Sequence, residues 1–186
     1  MSILECILLV IVASTTVSGL QGKKPDQIHP SPTQLEVKQT VNALTGTWTG
    51  QMTARVPGYP PATFDWLMEC KTIALGAGVV CTNSGTASIG QLSETCLFGF
   101  DPEGKAVHYM CITSMGEVHD HKGYWRDAGL IEFEPLRAGM MGKQVTETLR
   151  WQFTDINNLD KISTVTMPDG SAMMFEFIGK RNKFHQ

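Results

Sequence analysis

The chain has 186 residues, 42% of them hydrophobic and 18% charged, with a formal net charge of -3. A chain this long can bury roughly 70% of its unfolded surface in one core, so a single domain is expected, and the apolar content excludes a disordered chain. Its 15 basic and 18 acidic side chains form no Lys/Arg stripe that could neutralise a row of phosphates, which argues against nucleic acid as a partner.

At the start of the chain, Cys6 to Ala13 is an unbroken apolar run. Small polar Ser14-Thr15-Thr16 follows, and Val17-Ser18-Gly19 places small residues where a signal peptidase reads. Residues 1–19 are therefore predicted to be a signal peptide, although Glu5 stands where a Lys or Arg is customary. Eight apolar residues fall far short of the roughly 20 that a spanning helix needs, so no membrane span is expected. A secreted or periplasmic location follows. Residues 20–36, with Pro25, Pro30 and Pro32, read as a polar leader, and residues 37–184 as the folded domain.

After Leu44 the chain reads as one strand after another. Phe64, Trp66, Met68 and Cys70 alternate with Thr63, Asp65, Leu67 and Glu69, the pattern of a half-buried strand. The same period recurs where Val145, Glu147, Leu149, Trp151 and Phe153 alternate with Thr146, Thr148, Arg150 and Gln152, with Glu147 the one residue on the first face that is not apolar. Turn signals separate the runs at Leu75-Gly76, Ser88 to Gly90, Asp101-Pro102-Glu103-Gly104, Ala138-Gly139, Asn157-Asn158 and Pro168-Asp169-Gly170. About ten short runs with short connections predict an all-β antiparallel sandwich or barrel.

Export makes the cysteines candidates for disulfides. Cys6 leaves with the signal peptide, and Cys70, Cys81, Cys96 and Cys111 remain, at separations that match neither a zinc finger nor a redox Cys-x-x-Cys. If Cys70 faces Cys81, Thr72 faces Val79 and a two-residue Leu75-Gly76 turn closes the hairpin. If Cys96 faces Cys111, Phe98 faces Tyr109 and Phe100 faces Val107, so the apolar faces fall together. Opposed strand residues lie about 4.5–5.5 Å apart, within disulfide reach. These two bridges are favoured, with Cys81–Cys96 across the middle hairpin as the rival.

The segment Leu44-Thr45-Gly46-Thr47-Trp48-Thr49-Gly50 resembles the opening motif of calycins, the lipocalin and fatty-acid-binding barrels. That resemblance implies that Gly46 and Trp48 are structural. It also implies that the tryptophan plugs one end of the barrel and that a late basic residue, Lys180 or Arg181, packs across its ring. Phe100-Asp101-Pro102, Ser114-Met115-Gly116, Gly123-Tyr124-Trp125-Arg126-Asp127 and Phe175-Glu176-Phe177 extend the likeness to about residues 36–184. This succession is similar to a family of secreted or periplasmic calycin-like domains without an established function. A further resemblance, to the ten-stranded haem-carrying nitrobindin barrels, rests on strand count and the same opening. The architecture so implied is a single up-and-down β-barrel of about ten strands.

Such a barrel can hold a small apolar or amphipathic ligand unless side chains fill it. The candidate lining is Trp66, Met68, Met110, Ser114, Met115 and Trp151, drawn from a chain rich in adaptable methionine, including Met52, Met167, Met173 and Met174. Glu117, His119 and His121 would share one strand face about 6.5–7 Å apart, a set suited to zinc or iron. No Gly-x-Ser-x-Gly elbow, phosphate-cradling glycine loop or His-Glu-x-x-His is present. The expectation is a ligand-binding barrel with no obligatory cofactor. Two alternatives stay open: a zinc- or haem-dependent enzyme using His119 and His121, and a filled-core interaction module. The sequence leaves the oligomeric state undetermined.

Overall fold

The computed structural model describes residues 33–88, 90–101, 106–127, 129–140 and 142–182. The expected signal peptide, the leader as far as residue 32, the Pro102 to Gly104 turn, His29 and His185 lie outside the described residues. The first element is a helix, α1 (Gln34–Leu44), which the sequence reading did not foresee. Its cap is reciprocal: the Thr33 hydroxyl accepts from the Glu36 backbone N–H at 3.2 Å, and the Glu36 carboxylate accepts from the Thr33 backbone N–H at 2.6 Å. Val37, Val41 and Leu44, spaced four and three apart, are buried on one face. The helix begins at Gln34, ahead of the boundary expected between residues 36 and 37.

Ten long strands follow: β1 (Gly46–Arg55), β2 (Ala62–Ile73), β3 (Gly78–Ala87), β4 (Gly90–Asp101), β5 (Ala106–Thr113), β6 (Val118–Asp127), β7 (Leu130–Arg137), β10 (Thr146–Asp155), β11 (Asn158–Thr166) and β12 (Ala172–Arg181). Two short strands, β8 (Gly139–Met140) and β9 (Lys143–Gln144), pair as a side hairpin between β7 and β10. The long strands are all antiparallel to their neighbours and close into a barrel in the order β1-β12-β11-β10-β7-β6-β5-β4-β3-β2. The expected all-β up-and-down barrel of about ten strands is the architecture observed. Among the described residues no helix is long and apolar enough to cross a membrane.

Both favoured disulfides are present, Cys70–Cys81 and Cys96–Cys111. The first hairpin has the expected register, Cys70 opposite Cys81 and Thr72 opposite Val79. It closes through an Ala77 N–H donating to the Ala74 carbonyl at 3.1 Å around Leu75 (φ +54°) and Gly76 (φ +92°). Positive φ at both central residues matches the twist of the flanking strands. One rung of the sheet runs Gly46, Cys70, Cys81, Cys96, Cys111, His119 across six strands. It ties the disulfides to the first imidazole of β6.

The two ends of the barrel differ. At one end Trp48 is fully buried, its indole Nε1 donates to the Leu44 carbonyl at 2.9 Å, and the Arg181 guanidinium lies 4.8 Å over its ring. The pairing that the opening motif implied is thus realised, with Arg181 as the cation and α1 covering the end. Phe98, Phe133, Tyr109 and Trp151 pack ring on ring above this plug. Gly123 makes room, because a Cβ there would stand 2.7 Å from the Phe133 ring. Toward the other end the wall loosens: β7 pairs with β10 only from Leu149–Phe133 to Gln152–Leu130.

Candidate functional site

The open half encloses a cavity of about 190 Å³. One wall, from β1, β2, β4 and β12, is mostly apolar and carries Met52, Phe64, Trp66, Leu92, Phe175 and Phe177. Gly85 lets Trp66 lie flat against β3, since a Cβ at that position would come 2.5 Å from the indole. The facing wall is polar: His119 and His121 from β6, Glu147 from β10, and Lys161 and Ser163 from β11.

Strand alternation puts each of these groups inside. His119 and His121 are two apart on β6, Glu147 takes the same face as buried Val145, Leu149 and Trp151, and Lys161 and Ser163 alternate with outward residues of β11. Closure of the barrel then brings β6 and β10 together around one carboxylate. Glu147 Oε2 lies 2.6 Å from His119 Nδ1 and 3.1 Å from His121 Nε2, and Ser163 Oγ donates to Glu147 Oε1 at 2.5 Å. The outer nitrogens also face acceptors. His121 Nδ1 is 3.3 Å from the Tyr109 carbonyl oxygen, while His119 Nε2, buried and without a hydrogen bond, is 3.7 Å from Glu117 Oε2.

These contacts set the charges. Burial opposes a charge on His119, but the Glu117 carboxylate nearby and the hydrogen-bonded Glu147 carboxylate outweigh it and raise its pKa to about 9. Burial alone would push the Glu147 carboxyl up; the His119 and His121 hydrogen bonds instead hold it well below the ordinary carboxylate range. Lys161 Nζ sits 4.9 Å over the Trp151 ring and 3.4 Å from the Tyr109 hydroxyl. Burial lowers its pKa, against the pull of Glu94 and Glu147. Burial raises the Tyr109 phenol, with Glu94 and Glu147 adding to the effect. The wall therefore combines an anion, cations and hydrogen-bond donors within a mostly apolar pocket.

The sequence-predicted residues are only partly gathered here. Trp66, Ser114 and Met115 line the cavity, Met115 at the rim and 58% exposed. Met68 and Trp151 do not line it; both are buried in the packed half. Met110 is a correction: it lies on the outer face of β5, because Tyr109 and Cys111 on either side take the interior. Of the seven methionines singled out in the sequence Met52 and Met115 line the cavity, where Met140 joins them, while Met68 fills the core. His108 also faces outward, 3.4 Å from Asp120. A filled core describes the closed half alone.

The expected trio of Glu117, His119 and His121 does turn to one interior face. The carboxylate joining the two imidazoles, however, is Glu147, with Glu117 behind His119. Glu147 was visible in the sequence as the one charged residue on an otherwise apolar strand face. Lys161 and Ser163 gave no such signal, because β11 carries polar residues on both faces.

The fold is shared with two solved structures. The Rv2717c protein from M. tuberculosis is 16% identical with a TM-score of 0.63, over 79% of this chain and 98% of that one. The S-type phycobiliprotein lyase CPES from Guillardia theta is 9% identical with a TM-score of 0.58, over 79% of this chain and 93% of the lyase. No curated protein matches the chain. A family model matches residues 33–177, from the N-cap of α1 to Phe177 of β12, and on that match the chain belongs to the family described as protein of unknown function DUF1579.

Proposed function

We propose that this protein is an exported binding barrel for a small amphipathic molecule, held in the open half with its apolar body on the Phe64–Trp66 side and its polar end toward His119, Glu147 and Lys161. The observation that carries this reading is the two-faced cavity, apolar on one wall and charged on the other, at the unplugged end of a barrel whose opposite end is packed solid. Few convergent polar groups in an otherwise apolar hollow are what orient a ligand. The cavity's 190 Å³ is near the roughly 150 Å³ that accommodates benzene and below the roughly 300 Å³ at which drug-sized pockets begin. This favours a molecule with one ring or a short chain over a haem, which needs the walls to move. That one structural neighbour is named a phycobiliprotein lyase supports the barrel as a scaffold for small-molecule work and supplies no ligand identity. Export is supported by two disulfides, which an oxidising compartment sustains.

The test is a Trp fluorescence titration with single-ring and short-chain amphipaths alongside a long-chain fatty acid, a retinoid and haem, on the native protein and on Leu92→Trp, which crowds the cavity. Saturable binding of the small probes that Leu92→Trp abolishes supports the reading. No response to any probe, or an unchanged response in the variant, contradicts it.

A further inference from the structure

With both imidazoles neutral, the polar wall presents more acceptor contacts than hydrogens to satisfy them. The four ring nitrogens of His119 and His121 face Glu147 Oε2 twice, Glu117 Oε2 and the Tyr109 carbonyl. Two neutral imidazoles own two N–H groups between them. With those hydrogens on the outer nitrogens, toward Glu117 and Tyr109, two ring lone pairs aim at one carboxylate oxygen. Two extra protons or one dication relieve that clash.

We propose that His119, His121 and Glu147 form a binding site for a divalent transition metal, zinc by the chemistry of its donors, with one coordination position left toward the cavity. Two imidazoles and one carboxylate form a familiar open zinc donor set. Their ligand atoms lie within 4.8 Å of one another, and donors on one tetrahedral zinc stand about 3.3 Å apart. The His121–Glu147 pair is nearly there at 3.1 Å, and the 2.6 Å His119–Glu147 pair needs to widen by about 0.7 Å. Each donor also has an outer partner of the kind that orients metal ligands: Glu117 behind His119, the Tyr109 carbonyl behind His121, and Ser163 behind Glu147. A second cluster, Glu94 with Cys96 and Cys111, is not comparable, because its two sulfurs are joined in a disulfide. Zinc would make the wall an electrophilic anchor for a carboxylate, phenolate or similar donor end; that last step alone rests on the ligand-binding reading above.

The test uses full-chain protein purified without a histidine tag, stripped with chelator, and titrated with Zn²⁺ by calorimetry and with Co²⁺ by visible absorption. The expected result is one equivalent per chain and the intense d–d bands of four-coordinate cobalt. Glu147→Gln and His121→Ala should lose affinity beyond the roughly 10–100-fold expected for Glu117→Gln, which removes only an outer partner. Near-UV circular dichroism checks each fold, and Glu147→Gln, isosteric with the native residue, carries the test if His121→Ala does not fold. No stoichiometric binding by the native protein, or equal binding by native and Glu147→Gln protein, overturns the inference. Amphipath titrations in chelator read the ligand-binding proposal separately, so ligand binding without metal binding overturns the metal site alone.

Discussion

The closed and open halves of this barrel use the same strands for opposite purposes. In the closed half, inward positions carry Trp48, Met68, Phe98, Phe133 and Trp151, all almost fully buried, and a helix with its own cap seals the end. In the open half the same inward positions of β6, β10 and β11 carry His119, His121, Glu147, Lys161 and Ser163, and the space between them and Trp66 is hollow. Alternation places a side chain inside; its chemistry decides whether the inside becomes core or site. The packed half supplies the stability that lets the other half hold buried charges, which are costly unless paired.

The largest effect should come from emptying the plug. Trp48→Ala removes a wholly buried indole, its bond to the Leu44 carbonyl and the surface on which Arg181 rests, and should cost about 3–5 kcal/mol in urea unfolding. A loss under about 1 kcal/mol would show that the closed half is not the stabilising one. Next, removing either disulfide by paired Cys→Ala substitution should cost about 2–4 kcal/mol, since each cross-link closes a short hairpin. A smaller pH effect belongs to the open half. In chelator-treated protein, the His119 contribution is complete below its unfolded value of 6.5 and disappears as pH rises through about 9. Stability should therefore fall over that window, and Glu147→Gln should flatten the profile; an unchanged slope in the variant would break the assigned link. The smallest effect is expected at Met110→Ala on the outer wall, about 0.5 kcal/mol or less with ligand binding intact.

Much of this contrast was legible in the sequence. Period-two patterns in β2 and β10 gave the correct inward faces, and hairpin register favoured the two disulfides while leaving Cys81–Cys96 as a rival, since those two residues also stand opposite each other. Met110 was misplaced because both faces of β5 are rich in apolar residues; only its register with Phe98 and Cys96 decides that Tyr109 and Cys111 go in. Helix α1 had a readable signal, Thr33 with Glu36 and then Val37, Val41 and Leu44, masked by the prolines before it. The site was the least legible part. Glu147 stands 26 and 28 residues from its imidazole partners, and only barrel closure brings them together.

Methionine methyl groups report on both halves and on the outer wall at once. In ¹³C-methyl-methionine spectra, a saturating single-ring amphipath should shift Met52 and Met115, which line the cavity, and leave buried Met68 and outward Met110 in place. Shifts confined to Met110, or none at any methionine while binding is saturated, would contradict a ligand site in the open half.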